Sequence, residues 1–353
     1  MASPKFTAPD GMPKQDQVNE FYQAVAEADL QPLWVQKGIM PKEPPLAAVP
    51  FAWKWKTLKE LAERSGELIP IDRGGDRRVL SLSNPGLSGQ PFATPTLWGA
   101  VQYLGPGEVA PAHRHTPAAL RFVIEGSGVW TLVNGDPVAM SPGDLVLTPS
   151  WSWHEHHNPG DVPMLWFDAL DLPLARSLDA VFFENGPDQM VNRAVDPTSN
   201  SELHFGSGAG LVPFEEKATQ AYSPLFAYRW KDTDRALANM LQKSETGIAS
   251  LRFVDPTRGT DVMPTMRCSM HRVSAGAKTR TSRRNGSSVW VTFRGSAVAT
   301  IGEERFYLDE GDMFAVPSWC PISIEATHDA DFFCTSDAPV FEALGLDRAE
   351  FLD

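Results

Sequence analysis

Three histidines, His113, His115 and His154, have the residue type and the spacing to hold one metal ion. His113 and His115 are two apart, and side chains i and i+2 of a strand share a face. An inward face puts both imidazoles inside a barrel, and His154, following a later strand of the same sheet, closes the third position. Three neutral imidazoles on one side of a metal leave its other side open to water or substrate, as a catalytic site needs. A lone His-x-His on a strand is more often packing or surface. Here five of the eight histidines fall between 113 and 157. Glycine and proline also recur at fixed offsets around them: Gly107-x5-His113-x-His115 precedes Gly126, and Gly143-x5-Pro149 leads through Trp151 to His154.

The elements that must position these residues read as strands. LRFVIEG, GVWTLV, PVAM and LVLTP follow one another between 120 and 149, divided by Asn134-Gly135-Asp136 and Pro142-Gly143-Asp144. Asn-Gly between apolar runs is a strong hairpin signal. Upstream, Val18, Phe21, Tyr22, Val25 and Ala26 give helical spacing over 16–30. A proline-rich extended stretch follows from Pro32 to Pro50, then a second helix over 57–68 and short strand-like runs at 77–84 and 96–104.

An internal repeat sets the architecture. Residues 95–115 align without gaps on 264–284, and PGDLVLTPSW (142–151) matches EGDMFAVPSW (310–319). The expectation is two copies of one antiparallel barrel: an arm over 1–70, a first barrel over 71–173, a connector over 174–260 with a helix at 232–242, and a second barrel over 261–353. In the second copy Ser282 and Arg284 stand where His113 and His115 stand, and Ile322 replaces His154. The metal is therefore expected in the first barrel, with the second structural or an assembly surface.

Composition bounds the rest. In 353 residues, 42% hydrophobic and 21% charged content suits a globular chain with a sizeable core. The formal charge of −13 is spread without long like-charged runs, which argues against nucleic acid and anionic membranes as partners. It also means that an anionic substrate needs local basic groups. Three scattered cysteines, Cys268, Cys320 and Cys334, do not make a disulfide framework. No apolar stretch approaches a membrane span and the first residues hold no signal-peptide core, so a cytoplasmic location is expected.

The histidine, glycine and proline spacings match the two short motifs of the cupin superfamily, and the repeat resembles its duplicated form, the bicupin. That resemblance implies a mainly β fold of two antiparallel jelly-roll-type barrels, with an N-terminal helical arm and a partly helical connector. Two departures matter. The first motif normally carries a Glu ligand four or five residues after its second His, where this chain has Ala119 and Leu120. The third Gly of the second motif is Trp151. Over most of the chain, through HRHTPAALRFVIEG (113–126), TPSWSWHEHHN (148–158), RRVLSLSNPGL (77–87) and SPLFAYRW (223–230), the sequence is similar to the gentisate 1,2-dioxygenase group, which includes salicylate and 1-hydroxy-2-naphthoate dioxygenases.

The resemblance implies one Fe(II) per chain on His113, His115 and His154. It implies gentisate or a related 2-hydroxybenzoate and O2 as substrates, ring cleavage between the carboxyl- and hydroxyl-bearing carbons, and a homotetramer. A chelating dianion needs cationic anchors. Arg121, an even offset of six from His115, can share the inward face and grip a carboxylate through its fork. Arg77 or Arg78 is a second anchor, and the resemblance favours Arg77. His156, two after His154, can take the phenol proton or orient substrate. Asp168 resembles a family position near the substrate and could fix the His156 tautomer. Trp98, Ala100 and Gln102 share a strand face: Trp98 against the ring, Ala100 narrowing the space, Gln102 at a polar edge. Three histidines do not dictate the metal, so a Zn- or Mn-bearing cupin enzyme is a second reading. A non-catalytic sensing or storage cupin is a third, which the retained ligands weigh against.

Overall fold

The computed structural model describes residues 14–71, 78–186, 199–208, 210–214 and 220–352. The chain divides into two compact units, Met1–Pro45 and Leu46–Asp353. In the first, the expected helix runs Gln15–Glu27 and ends because Asp29 takes a left-handed φ of 54°. No residue of that helix is buried; Phe21 stacks on Trp34, whose Nε1 donates to the Tyr22 hydroxyl at 2.9 Å.

The second unit holds both barrels, each built from one six-stranded and one five-stranded antiparallel sheet. In the first barrel the six-stranded sheet runs, in spatial order, Ala227–Tyr228, Leu145–Thr148, Ala119–Glu125, Met164–Leu170, Trp98–Leu104 and Val79–Ser81. The five-stranded sheet runs Phe183–Asn185, Val109–His115, His154–His157, Trp130–Val133 and Asp136–Ala139. The Asn-Gly hairpin is as expected: Val133 pairs with Asp136, and Asn134 (φ 48°) and Gly135 (φ 86°) both take the positive φ of a type I′ turn.

Why the strands of the six-stranded sheet read as nearly continuous apolar runs follows from what lies on each face. On one face of Ala119–Glu125, Leu120 and Phe122 join a core shared by both barrels; on the other, Val123 joins the interior of the first barrel. Met164–Leu170 alternates likewise, Leu165 and Phe167 to the shared core and Trp166 to the interior. Phe122 stacks on Phe333 of the second barrel at 4.3 Å and 9°. Each such buried phenyl contributes about 1.5–3 kcal/mol. The same alternation leaves Arg121 and Asp168, paired across the two strands, on the interior face.

Neither barrel closes on contiguous chain. Phe51–Trp53, within the stretch read as an arm, pairs with Met313–Val316 of the second barrel. Ala227–Tyr228, within the stretch read as connector, pairs with Leu145–Thr148 of the first. Each added strand leads into a helix, Trp55–Leu68 and Trp230–Leu241, whose start is held by an aspartate of the barrel it joins. Asp312 accepts from the Trp55 N–H at 2.8 Å and from Lys54. Asp144 accepts from the Trp230 N–H at 2.8 Å and from Arg229 Nη1 at 2.7 Å. The repeated Gly-Asp pair thus has a mechanical reason. Gly143 and Gly311 both have φ 85°, and a Cβ would lie 2.7 Å from Trp230 or 2.2 Å from Trp55.

Asp144→Ala should therefore lower stability by about 3 kcal/mol, the low end for breaking a buried ion pair, because Arg229 keeps Glu202. Chemical denaturation checks this; an unshifted midpoint would show that the clamp contributes nothing. A second pair of aspartates ties barrel to barrel. Asp171 accepts from the Ala118 N–H at 2.8 Å and from Thr265 Oγ1 at 2.5 Å, and Asp337 accepts from the Ser287 N–H at 2.8 Å and from Thr96 Oγ1.

Candidate metal centre

His113 and His115 lie at the end of Val109–His115, and His154 opens the neighbouring strand His154–His157 with His113 directly across from it. The His154 ring is 4.2 Å from that of His113 and 4.9 Å from that of His115. The three donor atoms all lie within 4.8 Å of one another. On the outer side, Phe183–Asn185 pairs with the ligand strand, Phe183 opposite His115 and Asn185 opposite His113, and the Phe183 ring stacks on His113 at 5.5 Å.

Each imidazole is oriented by a backbone carbonyl. Nδ1 of His113 faces the Pro111 oxygen at 3.0 Å, Nδ1 of His115 the Pro117 oxygen at 2.7 Å, and Nδ1 of His154 the Ser152 oxygen at 3.0 Å. A carbonyl only accepts, so each Nδ1 carries a hydrogen and Nε2 is the atom that can bind a metal. Nε2 of His154 is buried without a hydrogen-bond partner, a loss of about 1–3 kcal/mol for a polar atom taken from water. Burial, then the Arg121 charge and the neighbouring imidazoles, hold His154 well below the usual histidine range, so it is neutral. A converging set of imidazoles, each anchored at Nδ1, with an orphaned buried nitrogen on the neutral His154 fits a transition metal such as Fe(II).

Trp151, at the motif's glycine position, keeps the backbone that a glycine would have. Its φ is 60°, a conformation costing a bulky residue about 1–3 kcal/mol. The turn is held by the Trp151 N–H donating to the His115 oxygen at 2.8 Å and by the Arg114 guanidinium over the Trp151 ring at 4.3 Å. Trp319 repeats this in the second barrel, with φ 62° and its N–H donating to the Arg284 oxygen at 2.7 Å.

A cavity of about 280 Å³ opens beside the three histidines, between the two sheets of the first barrel. Arg121, His156, Asp168, Trp98 and Gln102 all line it. So does Ala119, where the superfamily's Glu ligand would stand, and the apolar Phe182 and Phe183 form part of the wall. Arg121 is buried, donates through Nη1 to Thr148 Oγ1, and has Nε 3.4 Å from Asp168 Oδ1. Burial pushes the Asp168 carboxyl up to about 6 even though Arg121 and the Trp166 N–H draw it down. Trp98 is held at its rim by Nε1 donating to Ser81 Oγ at 2.9 Å.

Several expectations change here. Arg121 is not on the same strand as His115. The chain crosses at Thr116–Ala118 from the five-stranded to the six-stranded sheet, so the even offset does not explain its inward face; its pairing with Asp168 does. Asp168 meets Arg121 and the Trp166 Nε1 at 3.1 Å, while His156 Nδ1 meets Thr131 Oγ1 at 2.7 Å. His156 is thus partnered by the Thr131 hydroxyl and not by Asp168, which is drawn off by the nearer guanidinium and indole. Ala100 is fully buried opposite Asp168 and does not line the cavity. Arg77 lies outside the described residues. Arg78 is spent elsewhere, donating to the Ile69 oxygen at 2.9 Å and pairing with Glu108. His157, beside His156 on the same strand, is half-buried and stacked on Trp130 at 4.0 Å. Thr131 and Thr148 were missed; their one signal was a single hydroxyl in each otherwise apolar strand.

The second barrel keeps the register and loses the chemistry. Ser282 pairs with Ile322 as His113 pairs with His154, and Trp290 pairs with Cys334 as Arg121 pairs with Asp168.

Comparison with known proteins gives consistent matches. The cupin domain family matches residues 100–170. A gentisate 1,2-dioxygenase from Streptomyces sp is 51% identical over 340 residues, 94% of each chain. Gentisate 1,2 dioxygenase 1 from Aquipseudomonas alcaligenes is 35% identical over 333 residues, 93% of this chain and 95% of that one. The crystal structure of salicylate 1,2-dioxygenase from Pseudoaminobacter salicylatoxidans as adducts with gentisate superposes with a TM-score of 0.91 at 45% identity, covering 97% of this chain and 96% of that chain.

Proposed function

The chain belongs to the bicupin family of gentisate and salicylate 1,2-dioxygenases, Fe(II)-dependent ring-cleaving enzymes, and from that premise we propose that gentisate is the substrate its cavity turns over best. The product is maleylpyruvate: both atoms of O2 enter the substrate as the bond between its carboxyl-bearing and hydroxyl-bearing carbons breaks. Bound to His113, His115 and His154, Fe(II) supplies open positions for substrate and O2 and a path for electron density from the ring to oxygen.

The protein's own groups do the rest. Arg121 receives the carboxylate, since a buried guanidinium beside three neutral ligands offers charge that the acidic surface does not. Trp98 packs against the ring, Gln102 meets a polar edge, and His156 takes the hydroxyl proton at Nε2. The absent carboxylate ligand, with Ala119 in its place, leaves charge neutralisation to the substrate's own two anionic oxygens. That is the observation that carries the reading: three imidazoles and a guanidinium around one cavity, with no carboxylate in the metal-binding set. The chain assembles as a homotetramer on this reading, with the exposed Trp34 and Phe21 among the apolar groups available for burial. Among the described residues no helix is long and apolar enough to cross a membrane.

The test is oxygen uptake by Fe(II)-loaded protein with gentisate, salicylate and 1-hydroxy-2-naphthoate in parallel. Gentisate should give the largest kcat/KM, because its second hydroxyl makes the ring more electron-rich. A larger value for either rival would move the assignment to that substrate; no uptake with any of the three would end it.

A further inference from the structure

We infer that Thr131 is a positioning residue for the ring-opening reaction, holding His156 with its hydrogen on Nδ1 and its Nε2 lone pair turned to the cavity. The inference rests on the reading of His156 as the group that meets the substrate hydroxyl. Thr131 is fully buried on Trp130–Val133, directly across from His156 in the sheet. Its hydroxyl has one hydrogen. With Met140 Sδ 3.1 Å away as acceptor, the oxygen is left to receive the His156 Nδ1–H at 2.7 Å. Trp166 packs on the His156 ring at 5.5 Å and His154 at 5.9 Å, so the ring has little freedom to turn.

The second barrel provides an internal control. The pair that occupies the same register there is Ala299 opposite Ile324, next to Ile301 opposite Ile322, as Thr131 opposite His156 is next to Val133 opposite His154. The hydroxyl and the imidazole are replaced together where the metal ligands are replaced. In the second barrel both positions join an apolar cluster, with no polar pair between them.

The experiment compares wild type with Thr131→Val, which keeps the shape and loses the acceptor, and Thr131→Ser, which restores it. One measurement is 15N-resolved histidine NMR of the metal-free protein, with His156→Asn to assign the signal. The other is steady-state O2 uptake with gentisate after iron loading, with iron content measured. Expected is an Nδ1–H tautomer at His156 in wild type that becomes mixed in Thr131→Val. Alongside it, kcat should fall about 10–100-fold at nearly unchanged KM and iron content, with Thr131→Ser recovering most of the loss. An Nε2–H tautomer in wild type, or an iron-loaded Thr131→Val with wild-type kcat, overturns the inference. If wild type ignores gentisate while the tautomer responds as expected, the substrate reading fails and the orienting role of Thr131 is supported.

Discussion

Replacing His154 by alanine is expected to empty the metal site and stop gentisate-dependent oxygen uptake. Of the three imidazoles it is the most enclosed, and its ring lies close to both others. Its Nε2 is buried with no donor to satisfy it. Groups that merely orient a metal ligand cost about 10–100-fold when lost, so removal of a ligand should exceed about 100-fold in turnover, with iron per chain falling in parallel. The fold should survive. Alanine leaves a small void, but it also removes an unpaired buried nitrogen worth about 1–3 kcal/mol, so the unfolding midpoint of the metal-free protein should move little. His157→Ala is the control, since His157 stacks on Trp130 away from the site and should leave iron content intact. Full iron occupancy and turnover in the His154 variant would show that the three histidines are not the centre.

How much of this could be read from the chain depends on the range of the interaction involved. The ligand set was legible because its geometry is local: two residues on one strand face, and a third after a motif whose glycine and proline spacings fix the turn. Trp151 shows how strongly that turn is specified, since it holds a positive φ without a glycine. Arg121 was correctly placed inward for a reason the structure does not support. Parity does not carry across the turn at Thr116–Ala118, and only the pairing of Arg121 with Asp168 fixes the face. The Asp168–His156 link failed because a carboxylate two neighbours wide chooses its partner in three dimensions. The crossing strands at Phe51–Trp53 and Ala227–Tyr228 were invisible for a related reason: a short apolar run states that it will pair, and not with which barrel. Their anchors were nonetheless in view, as the repeated Gly-Asp pairs that accept Trp55 and Trp230.

Arg121→Ala is expected to keep its iron and lose substrate affinity, with KM for gentisate rising about 10–100-fold. A charge-assisted hydrogen bond to a carboxylate is worth about 1.5–3 kcal/mol, and each 1.36 kcal/mol is tenfold. Arg121→Lys should recover only part of the loss, because a point charge cannot reproduce the fork and Thr148 is positioned for Nη1. The pH dependence adds an independent check. Asp168 has its carboxyl pushed up to about 6 by burial. Below that pH it is neutral, and the Arg121 charge is available to the incoming carboxylate. As pH rises through about 6, Asp168 ionises 3.4 Å from Arg121 Nε and competes for it, so anaerobic gentisate binding should weaken. Asp168→Asn removes the competitor; its affinity should stay high above pH 6 and lose that part of the pH profile. A wild-type affinity that strengthens through the same interval, or an Arg121→Ala variant with unchanged KM, would take the carboxylate away from Arg121.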